Sequence, residues 1–115
     1  MYRFLPILLA AMSLHAQTQP QRYRSKITIY DLAARRSTVL YSADQVIEAP
    51  NWSRDGKFLL VNTGGSLYRL PVSGEPKLEK IELGEGGYRC NNDHDFTRDG
   101  KLLAFSASST ASRQS

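Results

Sequence analysis

The sequence predicts an all-β fold, a β-propeller fragment of about one and a half to two four-stranded blades, and three observations carry that prediction. First, the segment Asn51 to Asn62 recurs as Asp95 to Ser106 at an offset of 44 residues, within the range of a propeller blade. Second, each copy holds an Asp-Gly pair, Asp55-Gly56 and Asp99-Gly100, with apolar residues on both sides. Asp-Gly tolerates the positive φ that a tight strand connection demands. Third, Ile81 and Leu83 alternate with Lys80 and Glu82, as in a strand with one face in water.

The chain opens with a different kind of segment. Met1 to Arg3 give a short positive start, Phe4 to Leu14 form an apolar run, and the polar stretch Gln17 to Gln21 follows. This is the layout of a secretory signal peptide, with cleavage expected after Ala16. The run is shorter than the roughly 20 apolar residues of a permanent span, so no stable membrane span is expected after cleavage. Residues 17–25 read as a linker.

Residues 26–45 are expected to form the last two strands of a preceding blade, Lys26 to Leu32 and Ser37 to Tyr41, joined through Ala33-Ala34-Arg35-Arg36. Residues 46–84 are expected to form a blade. Its first strand ends at Trp52, an aromatic expected in the core. Its second, Phe58 to Val61, is continuously apolar, the mark of a strand covered on both faces. Ser66 to Val72 supplies the third strand and Leu78 to Leu83 the fourth, separated by the turn Ser73-Gly74-Glu75-Pro76. Residues 85–115 are an incomplete blade, with Phe96 in the core position of Trp52, Leu102 to Phe105 as its covered strand, and a Ser-rich connection at the end.

Composition narrows the function classes. The net charge is +4, but the basic residues are dispersed along the chain. A nucleic-acid surface needs them clustered on a stripe, so no nucleic-acid partner is expected. The single cysteine, Cys90, has no partner for an intramolecular disulfide or a redox pair and reads as a small buried hydrophobe. No cofactor motif is present: Gly84-Glu85-Gly86-Gly87 ends on Arg89 where a dinucleotide fingerprint needs glycine.

Trp52-Ser53-Arg54-Asp55-Gly56-Lys57 is similar to the W-S-P-D-G-K element of TolB-like propeller repeats, and Phe96-Thr97-Arg98-Asp99-Gly100-Lys101 is a looser copy. The resemblance covers about Lys26 to Ser106. Arg54 and Arg98 stand where the family commonly has proline. The resemblance implies a truncated member of a ring of about six or more blades, lacking the α/β domain that precedes the propeller in TolB proper. It implies a fold more than a function.

The polar cluster Asn91-Asn92-Asp93-His94-Asp95 is the one stretch with chemical potential, since the first repeat has Glu48-Ala49-Pro50-Asn51 at the same place. Asn91, Asn92, Asp93 and His94 are the candidate ligand-binding residues. His94 with Asp93 and Asp95 could ligate a metal, or His94 could shuttle a proton with either carboxylate orienting it. No catalytic set is expected, because one histidine outside the signal segment leaves no acid-base pair.

The reading that results is a periplasmic or secreted, non-enzymatic binding or scaffold module of the cell envelope, with an envelope protein or a polymeric ligand as partner. Two enzyme readings stand beside it. One is the N-terminal propeller of a hydrolase resembling the prolyl oligopeptidase class, and the other a metal-dependent lyase built around His94 and acting on an acidic polymer.

Overall fold

The computed structural model describes residues 19, 20 and 22–110. The signal segment at residues 1–16 lies outside them. The described residues form eight strands and no helix: β1 (Ser25–Asp31), β2 (Arg36–Ala43), β3 (Glu48–Trp52), β4 (Phe58–Thr63), β5 (Ser66–Pro71), β6 (Glu79–Lys80), β7 (Tyr88–Phe96) and β8 (Leu103–Ser109). They make three antiparallel sheets, β1-β2, β3-β4-β5-β6 and β7-β8, so that a four-stranded sheet stands between two hairpins. The fold is all-β, with the sheet arrangement of a propeller.

Apolar residues on both faces of β4 explain why the middle sheet is the centre of the molecule. Leu59 and Val61 point to one side, where they join Ile27, Ile47 and Leu70, with Leu40, Tyr41 and Ala43 of β2 packed around them. Leu60 points to the other side and meets Leu67 and Cys90, with Phe96, Leu103, Phe105 and Ala107 of the last hairpin against it. A strand alternates its side chains between faces, so one continuous apolar run serves two interfaces. Leu60, Leu67, Leu70 and Val61 are fully enclosed. Burying a side chain of this size contributes about 1.5–3 kcal/mol.

The two Asp-Gly turns repeat atom by atom. Gly56 and Gly100 have φ of 71° and 74°. Gly56 N donates to Ser53 O (3.0 Å), and Gly100 N to Thr97 O (2.8 Å). The Ser53 hydroxyl donates to Asp55 Oδ1 (2.8 Å) and the Thr97 hydroxyl to Asp99 Oδ1 (2.6 Å). Each carboxylate then accepts the amide of the lysine two residues on, Lys57 or Lys101, at 3.0 Å. The short side chain thereby supplies an acceptor the turn lacks. These bonds hold both carboxyls below their usual range, through the Lys57 amide and the Ser53 hydroxyl for Asp55, and the Thr97 hydroxyl and the Lys101 amide for Asp99.

Three elements differ from expectation. The fourth strand of the middle sheet spans only Glu79–Lys80. Ile81 N still donates to Leu67 O (2.9 Å), but Ile81 and Leu83 then turn to the second core cluster and leave the ladder. Trp52 is 48% exposed instead of buried. It pairs with Leu59 in the β3-β4 ladder, and the hairpin on that side presents two strands, which cover Leu59 and Val61 and stop short of Trp52. Leu102 to Phe105 is half covered: Leu102 is 68% exposed and Leu103 and Phe105 are partly buried, because no described strand faces their outer side.

Candidate functional site

The cluster Asn91 to Asp95 lies within β7, a strand of nine residues. The β7-β8 register breaks inside it: Cys90 pairs with Ala107 and His94 with Phe105, so the residues between oppose Ser106 alone. This is a bulge, stabilised by Asn91, whose Oδ1 accepts from Asp93 N (2.9 Å) and whose Nδ2 donates to Ser106 Oγ (3.1 Å). β3 breaks register at the equivalent place, between Glu48 and Asn51, and there Ala49 has φ 52°. A non-glycine residue at positive φ is uncommon and held by its surroundings. Bulges re-aim side chains, and here the two bulges turn polar groups toward each other.

The result is a chain of four side chains that crosses from the middle sheet to the last hairpin. Asn62 of β4 donates through Nδ2 to Asn92 Oδ1 (2.8 Å). Asn62 Oδ1 lies 2.9 Å from His94 Nε2. Asn51 of β3, with its amide turned so that both ends are satisfied, donates through Nδ2 to His94 Nδ1 (2.8 Å), to the His94 carbonyl (3.0 Å) and to the Ala49 carbonyl (3.2 Å). Asn62 Oδ1 can only accept, so Nε2 carries the proton; Asn51 Nδ2 can only donate, so Nδ1 is bare. The hydrogen-bond pattern therefore assigns a neutral Nε2-H imidazole. Burial acts in the same sense and pushes the His94 pKa below its ordinary value, outweighing the opposing pull of the Asp95 and Asp93 charges.

This geometry changes the chemistry expected of His94. Its partners are Asn62 and Asn51, and neither Asp93 nor Asp95 orients the ring. Asp95 instead receives Arg54 Nη2 at 3.3 Å. Among the described residues no three His, Cys, Asp or Glu side chains come together as a metal would need. Strand alternation puts the buried His94 on the face opposite the exposed Asp93 and Asp95, so the three metal candidates do not converge. A lyase built on His94 would require a ring nitrogen free for substrate, and both are engaged.

Of the candidate ligand residues, Asn91, Asn92 and Asp93 are exposed while His94 is 8% exposed. The three exposed residues line one wall of a cleft of about 550 Å³, and Glu48, Asn62 and the Gly64-Gly65 turn line the other. Arg89 completes it: a side chain at Gly65 would begin 2.8 Å from Arg89 Cγ, so the glycine makes room for the arginine. Cys90 N donates to Gly65 O (2.8 Å) and holds that turn against β7. Burial raises the Cys90 thiol, which keeps it neutral and unreactive. Asn51, Asn62, Glu48 and Arg89 were not foreseen from the sequence. The signal that could have found Asn62 is its place after the apolar run Phe58 to Val61, since a polar residue enclosed among hydrophobes needs partners.

A second contact joins the repeats at the turns. Arg54 donates through Nη2 to Phe96 O (2.8 Å) and through Nε to Thr97 O (3.2 Å), besides its pairing with Asp95. Phe58 meets Phe96 edge to face, with centroids 5.8 Å apart.

No protein-family model matches the chain. It is 46% identical over 83 residues to the uncharacterized protein Atu1656 of Agrobacterium fabrum, covering 72% of this chain and 28% of that protein. It is also similar to a solved structure provisionally named TolB from Agrobacterium tumefaciens, at 41% identity and a TM-score of 0.69, over 76% of this chain and 31% of the other. The chain thus spans about a third or less of the length of the relatives it matches.

Proposed function

We propose that this chain is an exported, non-enzymatic binding module of the cell envelope, and that it takes its ligand in the cleft between the two bulged strands. The observation that carries this reading is the neutral His94 imidazole with both nitrogens bonded to amides. It makes His94 a strut that fixes Asn51 and Asn62, the latter in turn holding Asn92, while Asn91, Asp93, Glu48 and Arg89 offer amide, carboxylate and guanidinium groups at the cleft. Such a lining recognises polar groups and has no activated nucleophile. The fold likeness to a TolB structure supports a propeller scaffold, and the apolar opening of the sequence supports a periplasmic or secreted location. The partner is accordingly an envelope protein or a polymeric ligand with hydrogen-bonding groups.

The test has two arms. A fusion of the full chain to a reporter active only outside the cytoplasm should be exported with loss of about 16 residues, and an intact Met1 on soluble exported material would contradict the cleaved signal. In the envelope, a photo-crosslinking residue at Asp93 should capture a partner that the same residue at Lys57 does not. Equal capture from both positions would remove the cleft as the binding site.

A further inference from the structure

Four side chains link the middle sheet to the last hairpin, and every bond between them runs in one direction. Asn51 Nδ2 donates to His94 Nδ1 (2.8 Å), the His94 Nε2–H to Asn62 Oδ1 (2.9 Å), and Asn62 Nδ2 to Asn92 Oδ1 (2.8 Å). The direction is set at the Asn51 end. Asn51 Nδ2 also faces the carbonyls of His94 (3.0 Å) and Ala49 (3.2 Å), backbone groups that can only accept. Ala49 is the residue at φ 52° in the β3 bulge, so the strained backbone supplies one of those two acceptors. With that end fixed, the imidazole must accept at Nδ1 and donate from Nε2, and Asn62 must accept through Oδ1 and donate through Nδ2. Asn62 and His94 are 4% and 8% exposed, which leaves little room for water to reverse the order. Bonds aligned in this way polarise one another.

Asn92 is the exposed end of this relay and lines the cleft. Its oxygen is held by Asn62, so the group it has left for a ligand is its Nδ2 donor. Asn91 beside it is engaged in the bulge, Oδ1 with Asp93 N and Nδ2 with Ser106 Oγ. Arg89 lies over Gly65 in the same lining and adds a second donor, while Glu48 and Asp93 are carboxylates that accept. An anion entering here would meet two like charges against one opposite charge. A neutral secondary amide matches both kinds of group, its carbonyl accepting from Asn92 and its N–H donating to a carboxylate.

We propose that Asn92 is the specificity-determining donor of the cleft, oriented by the relay from Asn51 through His94 and Asn62, and that the group it takes is the carbonyl oxygen of a neutral secondary amide. This rests on the cleft being the binding site, as proposed above. His94 and Asn62 act through Asn92 and are positioning residues.

Nuclear magnetic resonance on the 15N-labelled full chain tests it, because Asn51, Asn62, Asn91 and Asn92 are the four asparagines and three of them line the cleft. Two neutral probes carry secondary amides from different sources, N-acetyl-trialanine amide for a polypeptide and di-N-acetylchitobiose for an acetylated amino sugar. At least one should shift the Asn62, Asn91 and Asn92 side-chain signals on titration, and the tighter one marks the source; sodium acetate should leave them unmoved. Asn92→Asp keeps the oxygen that Asn62 donates to and removes the N–H, so it should weaken the amide probe at least tenfold, read from the Asn62 and Asn91 signals. In an Asn62→Leu background, where nothing orients Asn92, the same Asn92→Asp change should weaken the probe less than threefold, a non-additivity that a merely structural role of Asn62 does not produce. Binding within twofold of wild type in Asn92→Asp overturns the proposal, as do additive losses in the double variant or acetate shifting the same signals as strongly as the amide probes. Silence from both amide probes, while a crosslinker at Asp93 still captures a partner, overturns it and leaves the cleft standing as the binding site. Equal capture from Asp93 and Lys57 removes the cleft itself and the proposal with it.

Discussion

The segments Asn51 to Thr63 and Asp95 to Ala107 share a sequence pattern, a turn and a bulged ladder, yet they hold their side chains very differently. Leu59 is 4% exposed and Leu60 and Val61 are fully enclosed, while Leu103 and Phe105 are partly buried and Ala104 is open. The turns have the same hydrogen bonds and nearly the same glycine φ. The local sequence therefore sets the turn, and burial is set by what packs on the faces. β4 has a hairpin on each side, whereas β8 has the middle sheet on one side only.

The largest expected effect breaks this comparison at its core. Leu59→Ala should destabilise the fold by about 2–5 kcal/mol, because the removed atoms leave a cavity that sheets on both sides prevent from collapsing. Leu103→Ala, the equivalent change in the second segment, should cost about 1–2 kcal/mol, since one face is already open. Urea titrations of the two variants measure the difference. Equal losses would show that β8 is as fully covered as β4.

Next come the turns. Gly56→Val and Gly100→Val place a β-branched residue at φ 71° and 74° and should each cost on the order of 1–3 kcal/mol. The two losses should be alike, because a side chain at Gly100 would meet Arg54 Cβ at 3.5 Å, an ordinary contact distance, while Gly56 faces open space, so the positive φ sets both. Thermal melts that separated them by more than about 1 kcal/mol would show that something besides φ sets one of them.

The sequence disclosed the turns and the strand order because Asp-Gly and an apolar run are local signals with one structural answer. It disclosed less of the polar bridge. Asn91 and Asp93 could be picked out as polar residues in a run, but the residues His94 bonds lie 32 and 43 positions away, on β4 and β3. Nothing local in Asn51 or Asn62 names that partner; only the packing of two sheets does. Trp52 departs from the expected core position for a related reason: an aromatic before the turn is covered only where a neighbouring side chain reaches it, as Phe58 reaches the partly buried Phe96.

The bridge gives the two segments different responses to pH. Burial lowers the folded-state pKa of His94 below the 6.5 of the free side chain, so the unfolded chain binds the proton more readily. The neutral ring's contribution is fully present above about pH 6.5 and declines as pH falls through that value toward the folded pKa. Protonation would also put a donor on Nδ1 against the Asn51 amide. Stability should therefore fall between about pH 7 and pH 5, and this part of the decline should vanish in His94→Gln. Asn62→Leu should cost about 1–3 kcal/mol at neutral pH by leaving the Asn92 and His94 groups unsatisfied. A wild-type chain whose denaturation midpoint is flat across that interval would place the ring in water.

The smallest effect concerns the two arginines. Arg54 and Asp95 are 43% and 62% exposed in their side chains, so their pairing at 3.3 Å is worth only about 0.2–1 kcal/mol after screening. The bonds to Phe96 O and Thr97 O are of the same modest order, as solvent competes for both carbonyls. Arg54→Ala should lower stability by about 1 kcal/mol, and much of the Asp95 share should disappear in concentrated salt. Arg98→Ala should leave the single chain unchanged within about 0.5 kcal/mol, because its guanidinium touches nothing described within the chain. Urea titrations of both variants sharpen the comparison, and a loss from Arg98→Ala as large as that from Arg54→Ala would mean that the second segment has a partner within its own molecule.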